Sequence, residues 1–553
     1  MSLSDDVNAE TLLAKLQKTT PDSAVGLRAG NQNTTEGSHD LARYIHEPIP
    51  KFRMQEAAID KRIVASVIRS ELDLDGIPSL NLASFVNTFI EEPALSLLAD
   101  NIGKNLADGD EYPALQTIHQ RCVAILSNLW NVPKGELGVG TATTGSSEAI
   151  HLGGLAMKRR WEAAQRAKGR DIKGVTPNII MGSNAQVALE KFARYFDVTA
   201  RLLPVDAENS YGFNPQDLKK TVDENTIGVF VIAGSTYTGH YQDVEAVSDV
   251  LDEIEKETGI SVDIHVDGAS GALVAPFVTP SLKFDFRIDR VKSINTSGHK
   301  FGLVTVGLGW IIWRDRKYLP EELLFTLHYL GGSEDTYTLN FSRPGFPVIH
   351  QYYNFVSLGL EGYRNLHSAS LANARLFATF LEATGYFEVL SDIHRPKGVH
   401  SYTGKPSDIT NQDPEFYNPG LPVVSFRFSK SFREQYPMIP QQAVSTLLRV
   451  RGYIIPNYPM PADLEDIEVL RVVVRASLSV DILDMLMEHI VATVQKLTSS
   501  VKDHYTAETE SDKLYKTLLA LTTSNPLDSE HPQYWDFQEE TGTRSGHSHG
   551  TKC

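Results

Sequence analysis

The sequence predicts an α/β protein: a large domain on a mostly parallel sheet covered by helices, followed by a smaller α+β domain. Two observations carry that expectation. Between about Gly145 and Arg314, apolar runs of strand length alternate with longer segments of helical periodicity, the order that parallel strands with crossover helices require. The strand-like runs are continuously apolar rather than alternating, as burial on both faces of a sheet demands. A second alternating block from about Ala369 to Thr498, with LPVVSFRF and EVLRVVVRASL, supplies the smaller domain.

Residues 1 to about 40 are polar and rich in Asn, Thr, Ser and Gly, the composition of a mobile arm. From about Gln55 to Leu72 a helix is expected, with Ile59, Ile63 and Val67 at apolar helical spacing. SSEAIHLGGLAMKRRWEAAQRAKG reads as a long amphipathic helix, NIIMGS as a strand and QVALEKFARYF as a helix. IGVFVIAGS, DVEAVSDVLDEIEKETG and SVDIHVDGA continue the alternation as strand, helix and strand. The basic run Lys158, Arg159 and Arg160 reads as one solvated helix face. The tail after about Ser499 is acidic and polar, ends GHSHGTKC, and reads as weakly ordered. The expected division is 1–79 for the arm and first helix, 80–368 for the large domain, 369–498 for the small domain and 499–553 for the tail. No internal repeat is found.

Apolar residues make up 41% of the 553 and charged residues 22%, ordinary for a soluble globular enzyme. A formal charge of -17 argues against nucleic acid or an acidic membrane surface as partner. The two cysteines, Cys122 and Cys553, provide neither a disulfide framework nor a zinc site, so no metal is expected. The start MSLSDDVNAETLLAKL lacks the pattern of a secretion signal, and no run of about 18 apolar residues would span a bilayer. The expected location is cytoplasmic.

Ligands of open α/β sheets bind beyond the carboxyl ends of the strands, and three stretches place unusual groups there. TTGSSEA, at 143–149, runs from a loop straight into a long helix. A helix N-terminus offers unpaired N–H groups and partial positive charge; Gly145 permits close approach, and the Ser146 and Ser147 hydroxyls suit a phosphate. The same residue types are also ordinary helix caps. HVDGASGA, at 265–272, ends a strand on Asp267 and follows it with small residues that leave room for a flat ligand. That aspartate can be a ligand-facing acceptor or a turn former. SINTSGHK, at 293–300, brings Lys300 to a strand end with His299 and Ser297. A lysine amine forms a Schiff base with an aldehyde, and pyridoxal phosphate is the usual aldehyde cofactor. That cofactor needs a lysine, a carboxylate for its protonated ring nitrogen, a phosphate cradle and a flat neighbour. All four stand in chain order: the cradle at 145–147, Asp267, His299 and Lys300. Each part is weak alone; together they make Lys300 the cofactor lysine.

At these same motifs the chain resembles a known family. GSSEAIHLGGLAMKRRW, QVALEKFARYF, IHVDGASGALVAPF, SINTSGHKFGLVTVGLGWIIWRD, YLGGSEDTYTLNFSRP and NLASFVNTF are similar to segments of the glutamate decarboxylases. These are group II pyridoxal-phosphate decarboxylases that convert L-glutamate to 4-aminobutanoate (GABA) and carbon dioxide. The lysine motif is shared by the wider group, whereas NLASFVNTF and FARYF point to the glutamate branch. The resemblance runs from about Arg43 to about Ser499. It implies the type I pyridoxal-phosphate-dependent transferase fold, with a seven-stranded sheet in the large domain. It also implies a homo-oligomer, at least a dimer, with sites shared between subunits.

Residue by residue, the resemblance implies that Ser146 and Ser147 hold the cofactor phosphate with Ser297 nearby, and that Thr236 and Gln186 lie by the ring. Asp267 would pair with the ring nitrogen, His299 would stack on the ring and bond the phosphate, and Lys300 would bind the cofactor covalently. Ser342 matches a residue that reaches the other subunit's phosphate. Ser84, Phe85, Asn105 and Asp108 match the pocket for the substrate's side-chain carboxylate, and Arg471 matches the arginine that receives its α-carboxylate region. Tyr329 and Leu330 fall on a loop that closes over the site in relatives. The final proton to Cα would come from Tyr329, His299 or a water. Three departures stand out. Ser84 replaces a common Thr and keeps the hydroxyl, Gly268 replaces Ala and should loosen its loop, and Ala188 with Leu189 replace Cys-Trp and put local packing in question. His547 and His549 fall where bacterial relatives can carry a site-plugging histidine, but the surrounding tail does not match. Its acidic balance argues against the calmodulin-binding helix of plant relatives and leaves Trp535 as a packing anchor. Two other readings are a decarboxylase of another amino acid such as aspartate and a non-catalytic interaction protein; the intact set of Lys300, Asp267, His299 and serines argues against the second.

Overall fold

The computed structural model describes residues 54, 56, 58–327, 334–400 and 409–504. The chain divides into two compact units, 1–75 with 529–550, and 76–528 with 551–553. In the first, α1 spans Lys61–Leu72. It starts later than the apolar spacing suggests because Asp60 caps it, its carboxylate accepting the Arg62 N–H at 2.8 Å.

The second unit is built on seven strands: β1 Val139–Thr143, β2 Asn178–Gly182, β3 Thr199–Leu203, β4 Thr226–Ile232, β5 Ile264–Asp267, β6 Val291–Ser297 and β7 Gly309–Trp313. Their order across the sheet is β1-β7-β6-β5-β4-β2-β3. The neighbours from β6 through β3 pair in parallel, whereas β7 is antiparallel to both β6 and β1. The two reversals cancel, so β1 runs with β5 and β6 and ends on the same edge. That edge is where the site forms.

Both faces of the sheet are covered, as the continuously apolar strands require. Ile179 and Met181 of β2 face one cluster, with Met157 and Trp161 of helix Ser146–Ala167, while Ile180 between them joins the cluster of Leu126 and Trp130 on the other side. The helices used below are α2 Pro113–Leu129, α3 Ser146–Ala167, α4 Val187–Tyr195, α5 Val244–Thr258, α6 Phe346–Ala383, α7 Gln442–Val450 and α8 Val480–His504. Strands β8 Phe325–Leu327 and β9 Glu334–Thr336 form a separate antiparallel pair. The smaller sheet contains β10 Phe387–Val389, β11 Val423–Phe428, β12 Asn457–Pro459 and β13 Glu468–Val473, in the order β10-β11-β13-β12. All its pairings are antiparallel. Helix α6 runs through the expected boundary at 368 without stopping, touching α2 on one side and the small sheet on the other. Its one break is at Gly359, whose φ of 58° and ψ of -167° suit glycine alone. Among the described residues, no helix is long and apolar enough to cross a membrane.

Three expectations change on contact with the structure. The basic run on α3 is half-buried and committed: Lys158 Nζ donates to the Phe196 carbonyl at 2.6 Å, Arg159 pairs with Glu162 at 2.8 Å and Arg160 with Asp263 at 3.0 Å. Ala188 and Leu189, where relatives carry Cys-Trp, are buried with Phe192 in the α3 cluster. At Gly268 an added Cβ would stand 2.4 Å from the Ala272 Cβ, so the alanine of relatives would need this loop to shift.

Candidate active site

The carboxyl edge gathers the ends of β1, β5 and β6, and each brings one part of the site. Beyond β1, Gly145 adopts φ 156° and ψ 173°, a conformation nearly confined to glycine, and turns the chain directly into α3. The Ser146 and Ser297 hydroxyls meet across this turn at 2.7 Å, and Ser147 is exposed beside them. Two hydroxyls at a helix N-terminus form an anion cradle. Its depth depends on Gly309 at the start of β7, where a Cβ would stand 2.3 Å from the Gly145 carbonyl carbon. Glu148, one turn inside α3, accepts from Thr144 N at 2.8 Å and from Asn340 N at 3.1 Å, tying the cradle to the chain that leads to Ser342. It escaped the sequence reading: Glu148 stands four residues after Thr144 and three after the Gly145 cap, so no Ser/Thr capping box announces it.

Beyond β5, Asp267 is 4% exposed. Its Oδ1 accepts from Asn295 Nδ2 at 2.9 Å and from Ala269 N at 3.1 Å, which fixes the carboxylate at the mouth of the strand. Beyond β6, a tight turn carries His299 and Lys300 out of the sheet. Lys300 N donates to the Ser297 carbonyl at 3.2 Å, and Lys300 Nζ donates to Ser270 Oγ at 3.2 Å. Ser270 was also missed; only the fold shows that the loop after Asp267 faces the lysine. His299 lies against the cradle, its Cε1 3.5 Å from where a Gly145 Cβ would be. Burial, with the nearby Lys300 charge, pushes its pKa down to about 4, so the ring is neutral near pH 7. Its Nδ1 is buried and makes no hydrogen bond among the described residues.

NLASFVNTF forms the wall facing the lysine. Asn87 N donates to the His299 carbonyl at 2.8 Å, and Val473 N from β13 donates to the Leu82 carbonyl at 2.9 Å, so the segment is pinned on both sides. The Phe85 ring centre lies 5.4 Å from Lys300 Nζ and 4.9 Å from the Arg471 guanidinium. Arg471 is 5% exposed and reaches across from β13, donating to the Thr236 carbonyl at 2.8 Å and to the Ala83 carbonyl at 2.5 Å. Ser84 Oγ accepts from Val86 N at 3.1 Å.

Not every expected residue is tied into this cluster. Gln186 caps α4, its side chain accepting from Ala188 N at 2.7 Å. Asn105 joins Ser342 instead, with Nδ2 3.4 Å from Ser342 Oγ and Oδ1 accepting from Arg343 N at 3.0 Å. Asp108 stands in the same turn and accepts from Glu111 N at 3.1 Å. Tyr329, Leu330, Trp535, His547, His549 and Cys553 lie outside the described residues.

These parts fit a phosphorylated, flat, aldehyde-bearing group: a cradle that a side chain at 145 or 309 would close, a buried histidine nitrogen left without a partner, a fixed carboxylate and a lysine amine. Fold and site together define a lysine-based, aldehyde-cofactor enzyme. The comparisons agree. The conserved domain of pyridoxal-dependent decarboxylases matches residues 81–402. The chain is 46% identical over 506 residues to a glutamate decarboxylase of Saccharomyces cerevisiae, covering 85% of each. It is 42% identical over 473 residues to glutamate decarboxylase 5 of Arabidopsis thaliana, covering 85% of this chain and 89% of that one. A solved glutamate decarboxylase of Lactobacillus brevis superposes with a TM-score of 0.74 at 35% identity, covering 82% of this chain and 96% of that one. The chain belongs to the glutamate decarboxylase family of pyridoxal-dependent decarboxylases, whose type I fold it shares and whose cofactor is pyridoxal phosphate.

Proposed function

We infer that the chain is a carbon–carbon lyase that removes the α-carboxylate of L-glutamate as CO2 and leaves 4-aminobutanoate. When bound, pyridoxal phosphate supplies an aldehyde and a protonated aromatic ring able to take up the electron pair left on Cα. Lys300 Nζ is the amine that holds the aldehyde. Asp267 keeps a proton on the ring nitrogen, placing a fixed negative charge where positive charge must be maintained. Ser146, Ser147 and Ser297 hold the phosphate with the N–H groups of α3, and neutral His299 lies flat beside them. Gln186 and Thr236 border the ring. Arg471 brings a buried positive charge to the substrate's α-carboxylate region, and its two backbone hydrogen bonds stop it from following the leaving group.

Ser84 and Phe85 form one wall for the side-chain carboxylate. Asn105 and Asp108 belong with Ser342, because Asn105 is bonded to that serine and to Arg343. We read these three as one unit serving the neighbouring subunit's site in a homodimer. The proton to Cα would come from Tyr329, His299 or a water, and the cytoplasm is our proposed location. The single observation that carries the reading is the meeting of Lys300, Phe85 and Arg471 from three distant parts of the chain at one carboxyl edge. The test is a product assay: purified protein with L-glutamate should release equal amounts of CO2 and 4-aminobutanoate, more when pyridoxal phosphate is added. Absence of both products with the cofactor present would refute it, and faster turnover of L-aspartate would shift the substrate.

A further inference from the structure

Behind Asp267 lies a polar chain that the mechanism above does not use. Asn295 Oδ1, at the far end of the amide that donates to Asp267, lies 2.8 Å from His265 Nε2. His265 Nδ1 lies 2.7 Å from Ser293 Oγ. His265 and Asn295 are 0% exposed and Ser293 2%, so no water competes for these bonds. The ring of His265 is held in a fitted slot: Phe230 of β4 meets it edge-on at 5.3 Å, and a Cβ on Gly153 of α3 would stand 2.5 Å from its Cε1. The second half of the Gly153-Gly154 pair makes room for Phe192 in the same way.

The direction of every bond follows from its chemistry. A carboxylate only accepts, so the Asn295 amide nitrogen faces Asp267 and its oxygen faces His265. That oxygen needs a donor, so the histidine proton sits on Nε2. Burial holds the ring neutral, with its pKa pushed down to about 4, and Nδ1 therefore accepts from the Ser293 hydroxyl. Asp267 is the charged group that acts on His265; α3 offers Gly153, β4 offers Phe230, and β6 offers Ser293 and Asn295. Three donors thus point one way, and such aligned bonds strengthen one another in a dry interior.

We propose that Ser293, His265 and Asn295 are positioning residues, a one-way hydrogen-bond relay that aims and fixes the Asp267 carboxylate, and so sets how firmly the cofactor's ring nitrogen holds its proton. The proposal rests on the reading of Asp267 as that nitrogen's partner. The relay touches neither substrate nor cofactor, and moves no proton.

Asn295→Leu, of similar volume, removes both amide bonds. Titrating its apoprotein with pyridoxal phosphate, followed by visible absorbance, should show a dissociation constant roughly tenfold to a hundredfold higher. The pH midpoint of the visible band should also shift. With L-glutamate, kcat should fall by a similar factor while KM stays within about twofold. H265Q, whose amide can still donate to Asn295, should recover most of what H265L loses, and S293A should give the smallest change. D267N is the control. If D267N moves the dissociation constant and the midpoint but N295L moves neither, the relay is overturned. It is equally overturned if N295L lowers the Tm of apoprotein and holoprotein alike with the cofactor constants unchanged, since that is packing alone. If D267N moves nothing, the ring-nitrogen reading fails and takes the relay with it. Should N295L not fold, equal losses in H265Q and H265L, with S293A at the wild-type values, overturn the proposal.

Discussion

On the reading proposed above, the two ends of the cofactor site are made of opposite materials. At the phosphate end stand neutral hydroxyls and a helix N-terminus, with Ser147 open to solvent. At the ring-nitrogen end stands a carboxylate 4% exposed, fixed by Asn295 with His265 behind it. Ser146 and Ser297 are buried and only Ser147 meets water; a single hydroxyl hydrogen bond to a charged group is worth about 1.5–3 kcal/mol net. A fixed charge in a dry site acts through a much lower effective dielectric. Both ends should therefore hold the cofactor, but the ring end alone should set how fast it works.

Four measurements can break or sharpen that contrast. The largest effect belongs to the lysine that both ends serve: Lys300→Ala should abolish turnover and the visible absorbance of the cofactor link, and a variant keeping both would remove the assignment. Next comes Asp267→Asn, which should retain part of the cofactor yet lose roughly a hundredfold or more in kcat; unchanged kcat would erase the difference between the ends. Ser146→Ala should do the reverse, weakening cofactor retention about tenfold in equilibrium dialysis with kcat at saturating cofactor nearly intact. A large loss of kcat there would show that the cradle takes part in the reaction.

The last effect is on the fold rather than on the reaction. His119, His265, His299, His350 and His367 each have a pKa pushed down to about 4, mainly by burial, against about 6.5 in an unfolded chain. Between those values the unfolded state binds more protons, so stability rises with pH through the window and is lost as pH falls from about 6.5 toward 4. Urea midpoints at pH 5 and pH 7 test this. A higher midpoint at pH 5 would contradict the burial of these rings.

Much of this was legible in the sequence because the physics is local. A continuous apolar run betrays a doubly covered strand, and Gly145-Ser146-Ser147 announces a helix start. The edge strand β3, Thr199–Leu203, gave no such signal, since it is largely uncovered and its TARLL pattern is mixed. Nor could composition show that β7 turns back between β6 and β1, the reversal that brings the Ser146 turn to Lys300's edge. Ser270 and the bond between Asn105 and Ser342 depend on tertiary approach, the latter across 237 positions. The family resemblance named Arg471, but its hold on Ala83 and Thr236 from β13 required coordinates.

The long helix α6 has a consequence for how the molecule comes apart. Because it passes from the packing around α2 into the small sheet without a linker, neither lobe ends where the other begins. A chain cut near 368 would sever the helical stretch that follows the Gly359 break, leaving each part with an apolar stripe stripped of cover. The lobes should therefore melt in one calorimetric transition, and a protease should cut at the Gly359 break rather than near 368.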